Sequence, residues 1–126
     1  LAVKIKANST MLSIQQQGQL LTLEHPIVMG IVNATPDSFY EGSHLQQVDA
    51  AITKALNMVA EGAIIIDIGG QSTRPGSEQI GASEEAARVI PVIAAVKEHL
   101  PQGVFISVDT YHSSVAAQAI KAGAHW

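Results

Sequence analysis

Asn33, Asp67 and Asp109 each stand directly after a short apolar run, at 27–32, 63–66 and 104–108. Any one of them alone reads as a turn or helix-cap residue, because Asn and Asp often begin turns. Three at matching positions, two of them carboxylates, point instead to a shared site. Side by side, their oxygens would ligate a metal ion or accept hydrogen bonds from a polar ring with N–H donors.

Two long polar loops follow the first two runs. The first, Asn33-Ala-Thr-Pro-Asp-Ser-Phe-Tyr-Glu-Gly-Ser43, carries the aromatic pair Phe39 and Tyr40. The second, Asp67-Ile-Gly-Gly-Gln-Ser-Thr-Arg-Pro-Gly76, stays polar up to Ser83. Gly69 and Gly70 allow the backbone close to a ligand, while Ser72, Thr73 and Arg74 offer hydroxyl and guanidinium donors suited to a phosphate. The loop has neither the G-x-x-x-x-G-K-[ST] spacing of a P-loop nor a dinucleotide fingerprint. His44, His99 and His112 lie near predicted helix ends without metal-ligand spacing, and no G-x-S-x-G elbow occurs.

The elements that must hold these groups alternate between strand and helix. Ile27-Val-Met-Gly-Ile-Val has the near-continuous apolar character of a strand buried on both faces. Ser43 and Gln46 form a capping box for a helix with Leu45, Val48, Ile52, Leu56 and Val59 on its inner stripe, ended by Gly62. Residues 63–66 form a second buried strand. Ser83 is the expected cap of the next helix, with Glu84 and Glu85 at its positive end and Val89, Ile93, Val96 and Leu100 inward. Pro91 should bend that helix. A turn at 100–103 leads to the third strand, then to a short helix with Val115, Ala116, Ala119 and Ile120 inward, ending at Gly123. The Gly-Ala that follows suggests a further strand, broken off at Trp126. Residues 1–25 differ: Met11-Leu-Ser-Ile and Leu20-Leu-Thr-Leu flank a Gln-rich turn and read as a hairpin in an N-terminal extension.

Strand–helix alternation means parallel pairing with right-handed crossovers, in either a doubly wound sheet or a (β/α)₈ barrel. Periodicity does not choose between them. Composition narrows the function classes. The 126 residues hold 7 Lys+Arg against 11 Asp+Glu, a formal charge of −4, with no basic cluster for nucleic acid. Apolar residues are 47 % and charged residues 14 %, which excludes a disordered chain. Cysteine is absent, so disulfide scaffolds and thiolate zinc sites are excluded. No apolar run approaches the roughly 20 residues of a membrane span, and the N-terminus lacks a secretory signal pattern. A cytoplasmic location is the expectation.

Asn33-Ala-Thr-Pro-Asp-Ser-Phe, Asp67-Ile-Gly-Gly-Gln-Ser-Thr-Arg-Pro-Gly and Ser107-Val-Asp-Thr110 resemble, in order and spacing, the signatures of the dihydropteroate synthase family of pterin-binding enzymes. The resemblance runs from about Pro26 to Trp126. It implies a (β/α)₈ TIM barrel, of which residues 26–126 would be the first half, with the hairpin and about three and a half βα units. It also implies a transferase that joins 6-hydroxymethyl-7,8-dihydropterin diphosphate to p-aminobenzoate, releases diphosphate and uses Mg²⁺. On that basis Asn33 would help hold Mg²⁺ and the diphosphate. Asp109 would bind the pterin ring, with Asp67 at the pocket floor. Ser72 and Thr73 would contact the pterin diphosphate, and Arg74 would stabilise the leaving group. Arg74, Pro75 and Phe39 would form the p-aminobenzoate subsite. A homodimer is implied for a full-length protein.

Two positions depart from the family pattern: Gln71 where Glu is usual, and Glu41 in the first loop. The family's later Asn, Asp, Lys and Arg-x-His positions do not occur in this chain. The isolated chain is therefore expected to be inactive and to aggregate or self-associate. Two other readings are a corrinoid-linked methyltetrahydrofolate methyltransferase, which shares the pterin-binding barrel, and a non-catalytic half-barrel module.

Overall fold

The computed structural model describes residues 12–16, 19–35, 43–72, 76–77 and 79–126. The N-terminal hairpin has the form expected: β1 (Leu12–Gln16) pairs antiparallel with β2 (Gln19–Leu23), Ile14 opposite Leu21. After it the chain alternates strictly: β3 (Val28–Asn33), α1 (His44–Ala60), β4 (Ala63–Gly69), α2 (Ala82–His99), β5 (Phe105–Asp109) and α3 (Ser113–Ala122). The three strands form a parallel sheet in the order β3-β4-β5. The strand–helix reading holds, as does the parallel pairing.

Side chains alternate across a strand, so each strand divides its residues between two faces. Val32, Ile66, Ile68 and Ile106, all fully buried, lie on the helix-covered face. There they meet Val89, Ile93 and Val96 of α2 and Val115 and Ala119 of α3. β3 corrects the expectation of a strand buried on both faces. Met29 and Ile31 are 50 % and 53 % exposed, because among the described residues no layer covers that side of the sheet. β4 also runs further than expected, to Gly69, which places Asp67 within the strand rather than after it.

Helix α1 begins as the sequence implied. The Ser43 hydroxyl accepts the Gln46 N–H, and the Gln46 side chain returns to the Ser43 N–H at 2.9 Å. Gly62 follows with φ 107°, the left-handed region that ends helices. The inner stripe is shifted from the expected one. Its fully buried residues are Ala51 and Ala55, with Val48, Ile52 and Val59 flanking them, whereas Leu45 is 77 % exposed. Small side chains let α1 lie close to the sheet, where Met58 sits over Gly30; a Cβ on Gly30 would fall 2.6 Å from the Met58 sulfur.

α2 starts two residues earlier than expected. Gly81 is its N-cap and makes no side-chain cap bond, so Ser83 lies inside the first turn. Pro91 does not break α2, which runs through to His99 with Pro91 and Ala87 on its exposed side. The carbonyl that proline leaves without a helical partner thus lies on the side open to water. α3 closes on Gly123, whose φ of 118° makes the expected C-cap.

Beyond α3 the chain runs along the outer edge of β5. The His125 N–H donates to Ile106 O at 2.7 Å, and the Val108 N–H donates to Trp126 O at 2.8 Å. Residues 124–126 are not assigned as the expected further strand, but they make these backbone bonds to β5. The Ile106 N–H also donates to His125 Nδ1 at 2.9 Å, and the Phe105 ring meets the imidazole edge-on, centroids 5.2 Å apart. Burial, and then the neighbouring Lys97 ammonium, hold the His125 pKa below its ordinary value.

Two outcomes follow from this packing. Ala55→Leu should lower unfolding stability by about 1–3 kcal/mol in urea titration, while Leu45→Ala should stay within about 0.5 kcal/mol. The reverse ranking would contradict the observed helix face. For His125 the unfolded chain binds the proton more tightly than the folded one. Its stabilising contribution is therefore complete above the ordinary histidine pKa of about 6.5 and is lost as pH falls toward the lower folded value. The difference in melting temperature between wild type and His125→Gln should change across that window. A constant difference would mean His125 titrates alike in both states.

Candidate active site at the carboxyl ends of the parallel strands

Register decides which residues meet. Asn33 is level with Gly69, and Gly69 with Asp109, across the three strands. One step of the alternation below, Ile31, Asp67 and Ser107 form a second row. Both rows lie on the face turned away from the helices, since the residues between them in sequence enter the helix-covered core. Asn33, Asp67 and Asp109 therefore converge on one face at the carboxyl ends of the strands, where parallel α/β folds bind ligands. Gly69 leaves the centre of the upper row without a side chain; a Cβ there would rest in ordinary contact with the Asp109 Cβ, 3.5 Å away.

Asp67 is half-buried, and its Oδ1 accepts the Ser107 hydroxyl at 2.5 Å. That bond orients a carboxylate at the floor of the site. Asp109 and Asn33 are exposed at the rim. The ladder continues one step past β3, where the Ala34 N–H donates to Gly69 O at 2.7 Å.

The loop leaving β4 is held on both sides. Gly70 packs against α2 so closely that a Cβ would lie 2.8 Å from Val89 Cγ1 and 3.0 Å from Glu85 Cγ. Arg88 Nη1 donates to Gly70 O at 3.1 Å, and Arg88 Nη2 pairs with Glu84. The Ser77 hydroxyl donates to Ser72 O at 2.6 Å, folding the loop back on itself. On the other side the Tyr111 hydroxyl donates to Gln71 Oε1 at 2.7 Å, linking the loop to the exit of β5. Gln71, Ser72, Asp109, Thr110 and Tyr111 border a polar cavity of about 200 Å³ between the two loops.

The structure thus places Asn33, Asp67 and Asp109 on one sheet face, and Ser72 with Asp109 at the cavity. Phe39, Thr73, Arg74 and Pro75, with Tyr40 and Glu41, lie outside the described residues. Ser107 of the Ser-Val-Asp-Thr motif joins the site, and its two-residue offset from Asp109 is the sequence signal that it shares the face. Tyr111 carried no sequence signal. Glu85 stands in the first turn of α2 as expected, and it is in addition buried, at 1 % exposure, and accepts the Thr110 hydroxyl. His44, His99 and His112 do lie at helix ends, as first, last and N-cap residues respectively.

Among the described residues no three His, Cys, Asp or Glu side chains come together as a metal cage. A single oxygen donor such as Asn33 fits Mg²⁺ only in its usual substrate-bound manner, with phosphate oxygens and waters supplying the other ligands.

Residues 29–126 match the family model described as pterin binding enzyme. The chain is 54 % identical over 101 residues to the dihydropteroate synthase of Bacillus subtilis, covering 80 % of this chain and 35 % of that protein. It is 52 % identical to the mitochondrial folate synthesis bifunctional protein of Pisum sativum, covering 79 % of this chain and 19 % of that protein. A solved Xanthomonas albilineans dihydropteroate synthase with 4-aminobenzoic acid superposes with a TM-score of 0.81 at 44 % identity, over 92 % of this chain and 42 % of that one. The chain therefore spans about a third of the Bacillus subtilis relative's length, and its parallel sheet with three helices is part of the TIM barrel of these enzymes. A family match over most of the sequence, with the strand-end acids of the sheet on one face, makes this chain a member of the pterin binding enzymes.

Proposed function

We propose that the whole protein is a dihydropteroate synthase, joining 6-hydroxymethyl-7,8-dihydropterin diphosphate to p-aminobenzoate with release of diphosphate. The observation that carries this reading is the row of Asn33, Gly69 and Asp109 above Asp67, beneath a loop tethered at Gly70 and Gln71. The relatives quoted above are named as synthases or as a folate synthesis protein, which favours this reaction over methyl transfer.

The chemistry suits the groups. Breaking the C–O bond to diphosphate develops positive charge at the pterin methylene and negative charge on the departing oxygen. The p-aminobenzoate nitrogen forms the new C–N bond to that methylene and gives up a proton, and diphosphate leaves with the bonding pair. Asp109 accepts hydrogen bonds from the pterin N–H groups, and Asp67, held by Ser107, supplies a second acceptor at the floor. By the resemblance, Arg74 faces the leaving group with Ser72 and Thr73, and Pro75 and Phe39 border the p-aminobenzoate ring. Asn33 would hold Mg²⁺, which when bound neutralises charge developing on the diphosphate. A cytoplasmic location and a homodimer of the whole protein belong to the same proposal. They rest on the resemblance alone.

The 126 residues alone are proposed to lack turnover. The uncovered sheet face with Met29 and Ile31, and the outer edge of β3, support self-association of the isolated chain. Light scattering after size exclusion should find oligomers or aggregate, and product assays should find no dihydropteroate. A monodisperse monomer forming product would overturn this. In the whole protein Asp109→Ala should weaken pterin binding by roughly ten- to a hundredfold, the loss of about 1.5–3 kcal/mol for hydrogen bonds to a charged acceptor, with helix content by circular dichroism unchanged. Unchanged affinity would remove Asp109 from the pterin pocket.

A further inference from the structure

Glu85 is buried at 1 % exposure in the first turn of α2, and among the described residues no cation pairs with it. A buried polar side chain is costly unless it is hydrogen-bonded, so what it holds shows how its geometry is used. Arg88, three residues on, would be the natural counter-ion, but its guanidinium is engaged by Gly70 O and Glu84. What Glu85 holds instead is Thr110: its Oε2 accepts the Thr110 hydroxyl at 2.5 Å. The Thr110 oxygen in turn accepts the His112 N–H at 3.1 Å. Thr110 is the residue directly after Asp109, where the β4–β5 ladder ends at the Gly69–Asp109 pair.

We propose that Glu85 is a positioning residue: acting through the Thr110 hydroxyl, it fixes the backbone leaving β5 and so sets where the Asp109 carboxylate stands. The Asp109 side chain is exposed, so its position depends on its backbone. The ladder fixes that backbone on one side, and the Glu85–Thr110–His112 chain fixes it on the other. The same helix segment also seats Gly70, through Glu85 and Val89, and binds its carbonyl through Arg88. One turn of α2 thereby sets the separation of the two loops that enclose the cavity. The consequence for ligand binding rests on Asp109 being the pterin acceptor; the positioning itself does not.

The test uses the whole protein with Glu85→Ala, Glu85→Gln, Thr110→Val and Thr110→Ser, read by amide hydrogen exchange and by the carbon signal of the Asp109 carboxyl. Glu85→Ala and Thr110→Val should each speed exchange at the His112 amide by about tenfold relative to Ile66 in the core, and should shift the Asp109 signal. The double variant should go no further than either single one. Thr110→Ser, which keeps the hydroxyl, should match wild type, and Glu85→Gln should lie between. An unaltered His112 amide and Asp109 signal in Glu85→Ala, or a change shared equally by Ile66, would overturn the proposal. Should Glu85→Ala fail to fold, the contrast of Thr110→Val with Thr110→Ser decides alone. A parallel titration with 6-hydroxymethylpterin separates the two claims. Binding by wild type that weakens with Glu85→Ala and not with Thr110→Ser supports both. No binding by wild type counts against the pterin reading of this chain, while the exchange comparison still decides the role of Glu85.

Discussion

The parallel register of β3, β4 and β5 is the constraint on which the site depends. Strands sit about 4.8 Å apart, and a one-residue slip sends every side chain to the opposite face. With Ile66 level with Ile106, the apolar residues of even position enter the helix-covered core. Asp67, Ser107 and Asp109 are then forced onto the other face. Any slip that rescued one acid for the core would bury a carboxylate and expose an isoleucine, so the core energy that stabilises the sheet also enforces the geometry of the site.

That coupling explains where the small residues fall. Ala51 and Ala55 bring α1 down onto β3, Gly30 leaves room for Met58, and Gly70 brings the β4 loop against α2. The helices are thereby close enough to serve as supports for the loops rather than only as a cover for the sheet. Glu85 and Arg88 are the instruments of that support, each reaching from α2 to the exit of a different strand. Among the described residues no such layer covers the outer sheet face, which is why its apolar residues Met29 and Ile31 stand open beside polar ones.

Much of this was legible in the sequence because it is local. The Ser43–Gln46 box, Gly62, Gly123 and the hairpin each follow from residues within a few positions of one another, and each is present. Three strand-end polar residues announced a common mouth, and the motifs around them carried the family resemblance. Other features needed tertiary context. The α1 stripe moved from Leu45 to Ala51 and Ala55 because closeness to the sheet, not side-chain size, sets burial. β4 extended past Asp67 because cross-strand partners, not hydropathy, define its end. The place of Glu85 at a helix start was legible, but its burial was not, because its partner Thr110 is distant in sequence, on another element.

The central claim is that Asn33 and Asp109 face the same side of the sheet across β4. The chain has no cysteine, so paired substitutions report on it cleanly. Two strand spacings place the side chains roughly 10 Å apart. Treatment of Asn33→Cys/Asp109→Cys with a rigid bifunctional thiol reagent of that span should crosslink it rapidly, and Asn33→Cys/Val108→Cys slowly. Faster crosslinking of the pair with Val108 would place the acids on opposite faces and contradict the account.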